Sequence, residues 1–500
     1  MSLTRPPSVR YLLLLFAVSV TACAGSVKPP RPAPVPVSAP KSRTAATPRP
    51  ESRPDTRGGD ATAAAADTAV ARQLADETVT VLPSILGRGA TTATPRGSAS
   101  SPGSPATSST RPHMGEPDQA VRIALALSQP SVRISATGDW SLFDSKAERP
   151  LGAAHSGDWY AVASRGGALT MSGPSGDRGS LRGALVARPA GPNSVLVFNG
   201  HRYRGDLLVL PSGGGLIVVN RVPIEQYLRG VVPLEIGVDR TQFESAAVQA
   251  QAIAARSYAY TRLDGSHPYD MSATVSDQVY GGMDAERPVA DDAVEATQHM
   301  VLMYAGRIAT APYHANSGGT TAAASEVWRT ADTPYLVSVS DRIPGSDRFY
   351  CQESPKFNWT RTLDRASLGA VLAKYLPQYA GAPRSGVGTV RSVIETGHTA
   401  SGRVAGLTFV TDRGRFTVRG NDIRFVLRTP GGEVLPSTLF SFDASTDNSG
   451  HVAQLTIRGT GNGHGVGMDQ WGAISRARAG QSYTTILQTY YPGTNIGPVL

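Results

Sequence analysis

Glu235 stands in the run Val231-Val-Pro-Leu-Glu235-Ile-Gly237, a carboxylate among apolar side chains and two residues after a proline. Burial in such a run raises a carboxyl pKa, as a general acid requires, but taken alone a residue of this kind is more often an exposed loop glutamate. Three further segments have a composition that packing alone does not explain. Ser276-Asp-Gln278-Val-Tyr280-Gly-Gly282 offers amide and phenol groups before two glycines. Tyr313-His314-Ala-Asn-Ser317-Gly318-Gly319-Thr-Thr321 sets small hydroxyl residues beside a histidine, leaving room and donors for a ligand. Gly461-Asn-Gly463-His464-Gly465-Val-Gly467-Met-Asp-Gln470 alternates glycine with other residues and runs into a helix. This last segment is not a nucleotide loop. Val466 stands where G-x-G-x-x-G needs its third glycine, and no Lys-Ser/Thr follows. Ser317 lacks the G-x-S-x-G elbow of a serine nucleophile. A lone His314 or His464 is by itself more often structural than a ligand contact.

These segments must be positioned by elements of both kinds. Alternating β-type runs, Val121–Leu127, Ser131–Ala136, Leu181–Val186, Ser194–Phe198, Leu207–Leu210 and Gly215–Val219, predict an antiparallel β-rich module over 116–222. From 223 the texture changes. Ile224–Leu228 reads as helical, and Thr241 with Glu244 fits a capping box opening a helix from about Gln242 to Leu263. Phe243, Ala247, Ala250, Ala254 and Ser257/Tyr258 form its expected buried stripe. Strands follow at Met300–Tyr304, Arg307–Ala311, Val390–Ile394, Leu407–Val410 and Phe416–Val418. Two helices, about Met468–Ala479 and Ser482–Tyr491, stop at Gly480 and at Pro492-Gly493. The fold class is α+β, an N-terminal antiparallel β module followed by a mixed α/β region over 223–500.

The chain of 500 residues carries 48 Lys and Arg against 39 Asp and Glu, a formal charge of +9. Residues 1–22 hold +2 of it, residues 24–115 hold +5, and residues 116–500 only +2. The folded part is nearly neutral, which argues against a nucleic-acid partner. With Cys23 and Cys351 the only cysteines, no disulfide framework or multi-cysteine zinc module is available.

Arg5 and Arg10 precede the short apolar run Tyr11–Val20, too short for a bilayer span of roughly 20 residues. Val20-Thr-Ala-Cys23 resembles a lipobox. Residues 1–22 are therefore expected to be a lipoprotein signal and Cys23 the site of lipid attachment, with stable membrane anchoring through several acyl chains. Ala24 after the cysteine would favour the outer membrane of a two-membrane cell, the chain facing the periplasm. Residues 23–115, rich in Pro, Ala, Ser and Thr, read as a disordered tether.

Taken in order, Pro233-x-Glu235, the helix Ala246–Tyr258, Gln278-Val-Tyr-Gly-Gly282, His314-x-x-Ser-Gly-Gly319 and Gly463-His-Gly-Val-Gly-Met468 resemble the SpoIID/LytB domain family over roughly 200–498. The resemblance implies a catalytic region of SpoIID type at 223–500. It further implies a peptidoglycan lytic transglycosylase that cuts the bond between N-acetylmuramic acid and N-acetylglucosamine, leaving a 1,6-anhydro end on strands stripped of stem peptides. The matching catalytic residue is Glu235. Gln278, Tyr280, His314, Ser317, Gly318, Gly319, His464, Gly465 and Gln470 are then expected to line the glycan cleft. Relatives named LytB are amidase modifiers, so a non-catalytic peptidoglycan-binding enhancer of an amidase is the alternative. Some relatives carry cysteine where this chain has Ser317, and zinc has been associated with parts of the family. Here one thiol of that pair is missing, and Cys351 with His314 lacks enough ligands, so no cofactor or metal is expected.

Overall fold

The computed structural model describes residues 119–499, apart from 147, 148, 182 and 214. The signal, Cys23 and the tether lie outside the described residues. Within them the fold is α+β, with several antiparallel sheets and helices gathered after residue 223.

Alternation builds the first layer. In Ser131–Ala136 and Tyr160–Arg165, Val132, Ile134, Tyr160 and Val162 turn inward while Ser131, Arg133 and Arg165 face water. These strands belong to a six-stranded sheet, in order His201–Tyr203, Leu196–Phe198, Ser131–Ala136, Tyr160–Arg165, Ala168–Gly173 and Gly176–Leu181. A seven-stranded sheet runs Met271–Ser272, Ala120–Gln129, Gly215–Pro223, Asp206–Ser212, Leu185–Pro189, Trp140–Asp144 and Arg149–Ala154. Leu142, Leu207, Val209 and Val218 from the second sheet join Ile134, Val162 and Leu169 from the first in one core. The expected run Leu181–Val186 is split, one strand ending at Leu181 and the next starting at Leu185.

This sheet leads straight into the helical part. Gly215–Pro223 passes into the helix Ile224–Arg229, and Met271–Ser272 returns to pair in parallel with Ala120–Gln129. The core is accordingly continuous across residue 222, reaching from Val121 to Val499. At its centre lies the helix Ser245–Thr261, entered through a 3₁₀ turn at Gln242–Glu244. Glu244 accepts from the Thr241 N–H at 2.9 Å, the returning half of a capping box. The helix is buried on almost every side, from Ala247 and Val248 through Ala250 to Tyr260. Its alanines let neighbours approach from all directions. Phe243 departs from the expected stripe. It lies in the 3₁₀ turn, out of register with the helix proper, and is 87% exposed.

A second core, from Leu363 to Ile457, was only partly foreseen. It packs the helix Arg365–Tyr379 and the short helix Asp422–Val426 against two three-stranded sheets. One is Val390–Glu395, Gly406–Thr411 and Gly414–Arg419, as expected; the other is Asn358–Asp364, Val452–Thr460 and Phe440–Thr446. The chain then returns to the first core. Met468–Asp469 pairs in parallel with Tyr313–His314, and Asn495–Pro498 pairs with Met300–Tyr304.

Candidate functional site

Glu235 lies on a single turn of helix, Val232–Ile236, with Pro233 in its first turn and Gly237 ending it at φ 110°. Val231, Val232 and Ile236 are buried and fix the turn against the core, leaving Glu235 half-buried at its edge. Its Oε1 accepts from the Val279 N–H at 2.9 Å, and the Gln470 side chain lies close enough to favour the charged form. Burial pushes the carboxyl from the ordinary 4.5 up to about 7, with these two donors pulling the other way. Among the described residues no cation pairs with it. The result is a carboxyl able to hold or release a proton near neutrality.

The segment 276–282 meets this turn from one side. Besides the Val279 amide on Glu235, the Gly281 N–H donates to Gly230 O at 3.1 Å. Gln278 and Tyr280, expected to face a glycan, point into the protein instead. Gln278 is 1% exposed; its Oε1 accepts from Tyr227 OH, and its Nε2 donates to Tyr313 OH at 2.9 Å and to Ala255 O. Tyr280 OH donates to Asn220 Oδ1 at 2.8 Å, tying the loop to the seven-stranded sheet. Both side chains have their polar atoms engaged and act from beneath.

The parallel pairing of Tyr313–His314 with Met468–Asp469 brings the other two segments together. The His314 and His464 rings lie 5.4 Å apart, and His464 also faces Trp328 at 5.2 Å. Burial holds His314 well below the usual histidine range, and burial with the Arg424 charge takes His464 down to about 3. Both are therefore neutral at ordinary pH. His314 Nδ1 pairs with Val466 O, while His464 bridges Tyr313 O and the Val466 N–H. Ser317 is fully buried, its Oγ accepting from the Gly319 N–H. Gly318 and Gly319 form the turn above it, against Thr460 and Phe349. Gly465 has φ 90° and lies against the guanidinium of Arg403, so any side chain there would collide with it. Arg403 comes from the second core and donates to Ser317 O at 2.9 Å and Thr320 O at 3.0 Å. Of the residues expected in the cleft, Gln470 alone has its side chain beside Glu235; Gln278, Tyr280, Ser317 and the two histidines are packed within the wall, with His314 Nε2 lacking a hydrogen-bond partner among the described residues.

Residue types alone did not disclose a buried group next to this wall. Asp341, Cys351 and Asp469 place ligand atoms within 4.8 Å of one another. Asp341 Oδ1 accepts from Arg476 at 3.0 Å and from Tyr490 OH at 2.8 Å, and its Oδ2 from the Cys351 N–H. Asp469 accepts from the Ser317 N–H at 2.7 Å and caps the helix Gln470–Arg478 through the Gly472 N–H. Burial raises both carboxyls, and the Asp341 charge helps push Asp469 up to about 7. Burial also pushes the Cys351 thiol well up, keeping it protonated. A zinc ion held by this set would take the thiolate of Cys351 and carboxylate oxygens as its ligands. Here the carboxyl oxygens already accept from protein donors and Arg476 sits against Asp341 as a compensating charge, so an ion would have to displace those contacts as well as the thiol proton.

The chain matches two families. Residues 212–304, which contain Glu235 and the 276–282 segment, match the family described as SpoIID, Stage II sporulation protein. Residues 343–467, spanning the second core, match a domain of unknown function. An uncharacterised protein of Brachyspira hyodysenteriae is 33% identical over 301 residues, covering 60% of this chain and 73% of its own. The amidase enhancer of Bacillus subtilis is 30% identical over 54% of this chain and 40% of its own length. Stage II sporulation protein D of Bacillus subtilis is 30% identical over 296 residues, 56% of this chain and 75% of that protein. With that coverage added to the ordered motifs around Glu235, the chain belongs to the SpoIID family.

Proposed function

We propose that this protein is a peptidoglycan lytic transglycosylase with Glu235 as its acid and base. The observation that carries the reading is one accessible carboxyl, poised near neutrality by burial and met by amide donors rather than a cation. Glycosidases that use an enzymic nucleophile or base need a second carboxylate close by. The acidic residues flanking the site segments are committed elsewhere. Asp469 serves two backbone amides, and Asp277 accepts from the Ser272 N–H and hydroxyl at 2.8 and 2.9 Å. A single working carboxyl suits a reaction in which the sugar supplies its own nucleophile.

Protonated Glu235 donates to the glycosidic oxygen as the bond to the muramic C1 breaks. The carboxylate so formed then takes the proton of the C6 hydroxyl, whose oxygen closes on C1 to give the 1,6-anhydro ring. Intramolecular attack gains from a high effective concentration when the geometry is right. The Val279 and Gln470 donors support the carboxylate between the two steps. We further propose that Cys23 carries a lipid anchor, placing the enzyme at the outer membrane and facing the periplasm. The near-neutral folded part suits glycan strands cleared of peptide, with an amidase acting beforehand.

The test is to incubate the full chain with peptide-free glycan strands and analyse the ends by mass spectrometry. Anhydro-muramic ends that vanish in Glu235→Gln support the assignment; ends that persist in that variant remove Glu235 from the chemistry. The second reading, an amidase enhancer, draws on the similarity to the Bacillus subtilis protein of that name. It predicts no anhydro ends and faster digestion by an added amidase.

A further inference from the structure

Tyr313 is the half-buried end of a chain of polar groups that otherwise lies inside the protein. The chain starts at Tyr227, 0% exposed in the helix Ile224–Arg229, whose hydroxyl donates to Gln278 Oε1 at 3.0 Å. Gln278 is 1% exposed, and its Nε2 donates to Ala255 O at 3.3 Å and to the Tyr313 hydroxyl at 2.9 Å. The orientation of that amide is fixed. Ala255 O is a backbone carbonyl and can only accept, so the NH₂ end must face it, and the carbonyl end is left for Tyr227. One NH₂ proton goes to Ala255 and the other to the Tyr313 oxygen. Turning the amide round would leave buried groups unpaired, at about 1–3 kcal/mol each.

A phenol that accepts in this way keeps its own proton to give. Tyr313 OH has no hydrogen-bond partner besides Gln278 among the described residues, and unlike Gln278 and Tyr227 its side chain retains some exposure. Its place is next to the working carboxyl. Gln278 bonds Tyr313, and the following residue, Val279, bonds Glu235 through its N–H at 2.9 Å. The Glu235 charge reaches the phenol, and burial keeps the phenol protonated. We infer that Tyr313 is a substrate-binding residue, its hydroxyl donating to a sugar oxygen of the glycan, a hydroxyl or an acetamido carbonyl, beside Glu235. The inference rests on Glu235 marking the glycan cleft. Successive side chains of a strand point to opposite faces, and His314 accordingly turns to Val466 O. Of these two neighbours the tyrosine, not the histidine, meets the sugar.

The experiment separates binding from cleavage. Peptide-free glycan strands are titrated calorimetrically into full-chain E235Q and into E235Q carrying Tyr313→Phe. Initial cleavage rates are taken for the parent and for Tyr313→Phe alone. Loss of one neutral hydrogen bond should weaken binding about 3–10-fold and lower kcat/KM by a similar factor. The Phe ring keeps the packing and Gln278 keeps Ala255, so the melting temperature should change little. Carbon NMR of carboxyl-labelled glutamate, with the Glu235 signal identified by its loss in E235Q, should give the same midpoint in Tyr313→Phe as in the parent, because the hydroxyl serves the sugar. Equal affinities, or strands that bind neither protein, overturn the inference. A moved Glu235 midpoint with unchanged affinity also overturns it, making Tyr313 a partner of the carboxyl instead. If the affinities differ as expected while the parent cuts no glycan, the contact stands and the assigned reaction falls.

Discussion

Glu235 and the Asp341–Asp469 pair are carboxyl groups that burial drives toward the neutral form, yet their surroundings differ in kind. Glu235 sits half-buried on a turn at the edge of the core, with the Val279 amide on one oxygen, the Gln470 side chain nearby and no cation paired with it among the described residues. Asp341 and Asp469 are each 0% exposed, their oxygens shared among Arg476, Tyr490 and three backbone amides. Both sites are pushed up by the same physical cause. A raised pKa therefore does not distinguish chemistry from architecture here; access and an uncommitted oxygen do. The pair's work is to hold the helix Gln470–Arg478 in place, and through it the amide that meets Glu235.

The largest expected effect breaks that comparison most directly. Glu235→Gln should lower glycan cleavage about 10²–10⁴-fold while leaving the fold intact, measured as initial rates of anhydro-end formation beside a thermal melt. Asp341→Asn should do the reverse. It leaves Arg476, only 8% exposed, without its charge partner and should cost about 3–5 kcal/mol of stability by denaturant unfolding. At a temperature where that variant is still folded, the pH midpoint of cleavage should match the parent's. A variant that melts normally but loses cleavage would place Asp341 in the chemistry and erase the distinction drawn between the two sites.

The site's chemistry was more legible than its geometry. Residue types alone left Glu235 open between a buried acid and an exposed loop glutamate, and the ordered motifs of the family resemblance singled it out; the burial found at Val231, Val232 and Ile236 follows from the apolar run. Composition could not say which way Gln278, Tyr280 and Ser317 point. A polar residue in a glycine-rich segment serves a ligand or a neighbouring backbone equally well, and only tertiary pairing decides. Strands were legible where apolar residues alternate, as in Ser131–Ala136. They were not in Gly176–Leu181, Gly-Asp-Arg-Gly-Ser-Leu, whose apolar content is one leucine. Half of the second core escaped: in the sheet that was not expected, the outer strand Asn358–Asp364 has a single buried residue, Leu363, and reads as polar loop. Phe243 was misplaced by one assumption, that the helix begins in α geometry at its cap.

Two smaller effects sharpen the comparison. The first is linked to pH. The Glu235 carboxyl is raised from 4.5 to about 7 in the folded state, so folding favours its protonated form. That contribution is fully present below pH 4.5 and is lost as the pH rises through 7. Relative to Glu235→Gln, which cannot ionise, the parent should lose stability across that window, at most about 3 kcal/mol because the side chain retains some solvent. Unfolding curves at pH 4 and pH 8 for both proteins read it out; parallel curves would mean that Glu235 titrates as an ordinary surface carboxylate. The expected sign carries its own meaning, since a carboxyl held ready to give up a proton near neutrality would weaken the fold as it ionises.

The smallest effect concerns Cys351. Its thiol is 0% exposed, 3.6 Å from Ser317 Oγ, and kept protonated by burial. Cys351→Ala should remove only packing and cost about 1 kcal/mol, with cleavage retained and the Glu235 titration unmoved. A strong chelator should leave the melting temperature of both parent and variant where it was, because Arg476 already balances the charge a metal would meet. A chelator that destabilised the parent and spared the variant would mean that Cys351 gives up its proton to an ion. The buried cluster would then be a metal centre adjoining the catalytic wall, and the contrast with Glu235 would have to be redrawn around two functional sites instead of one.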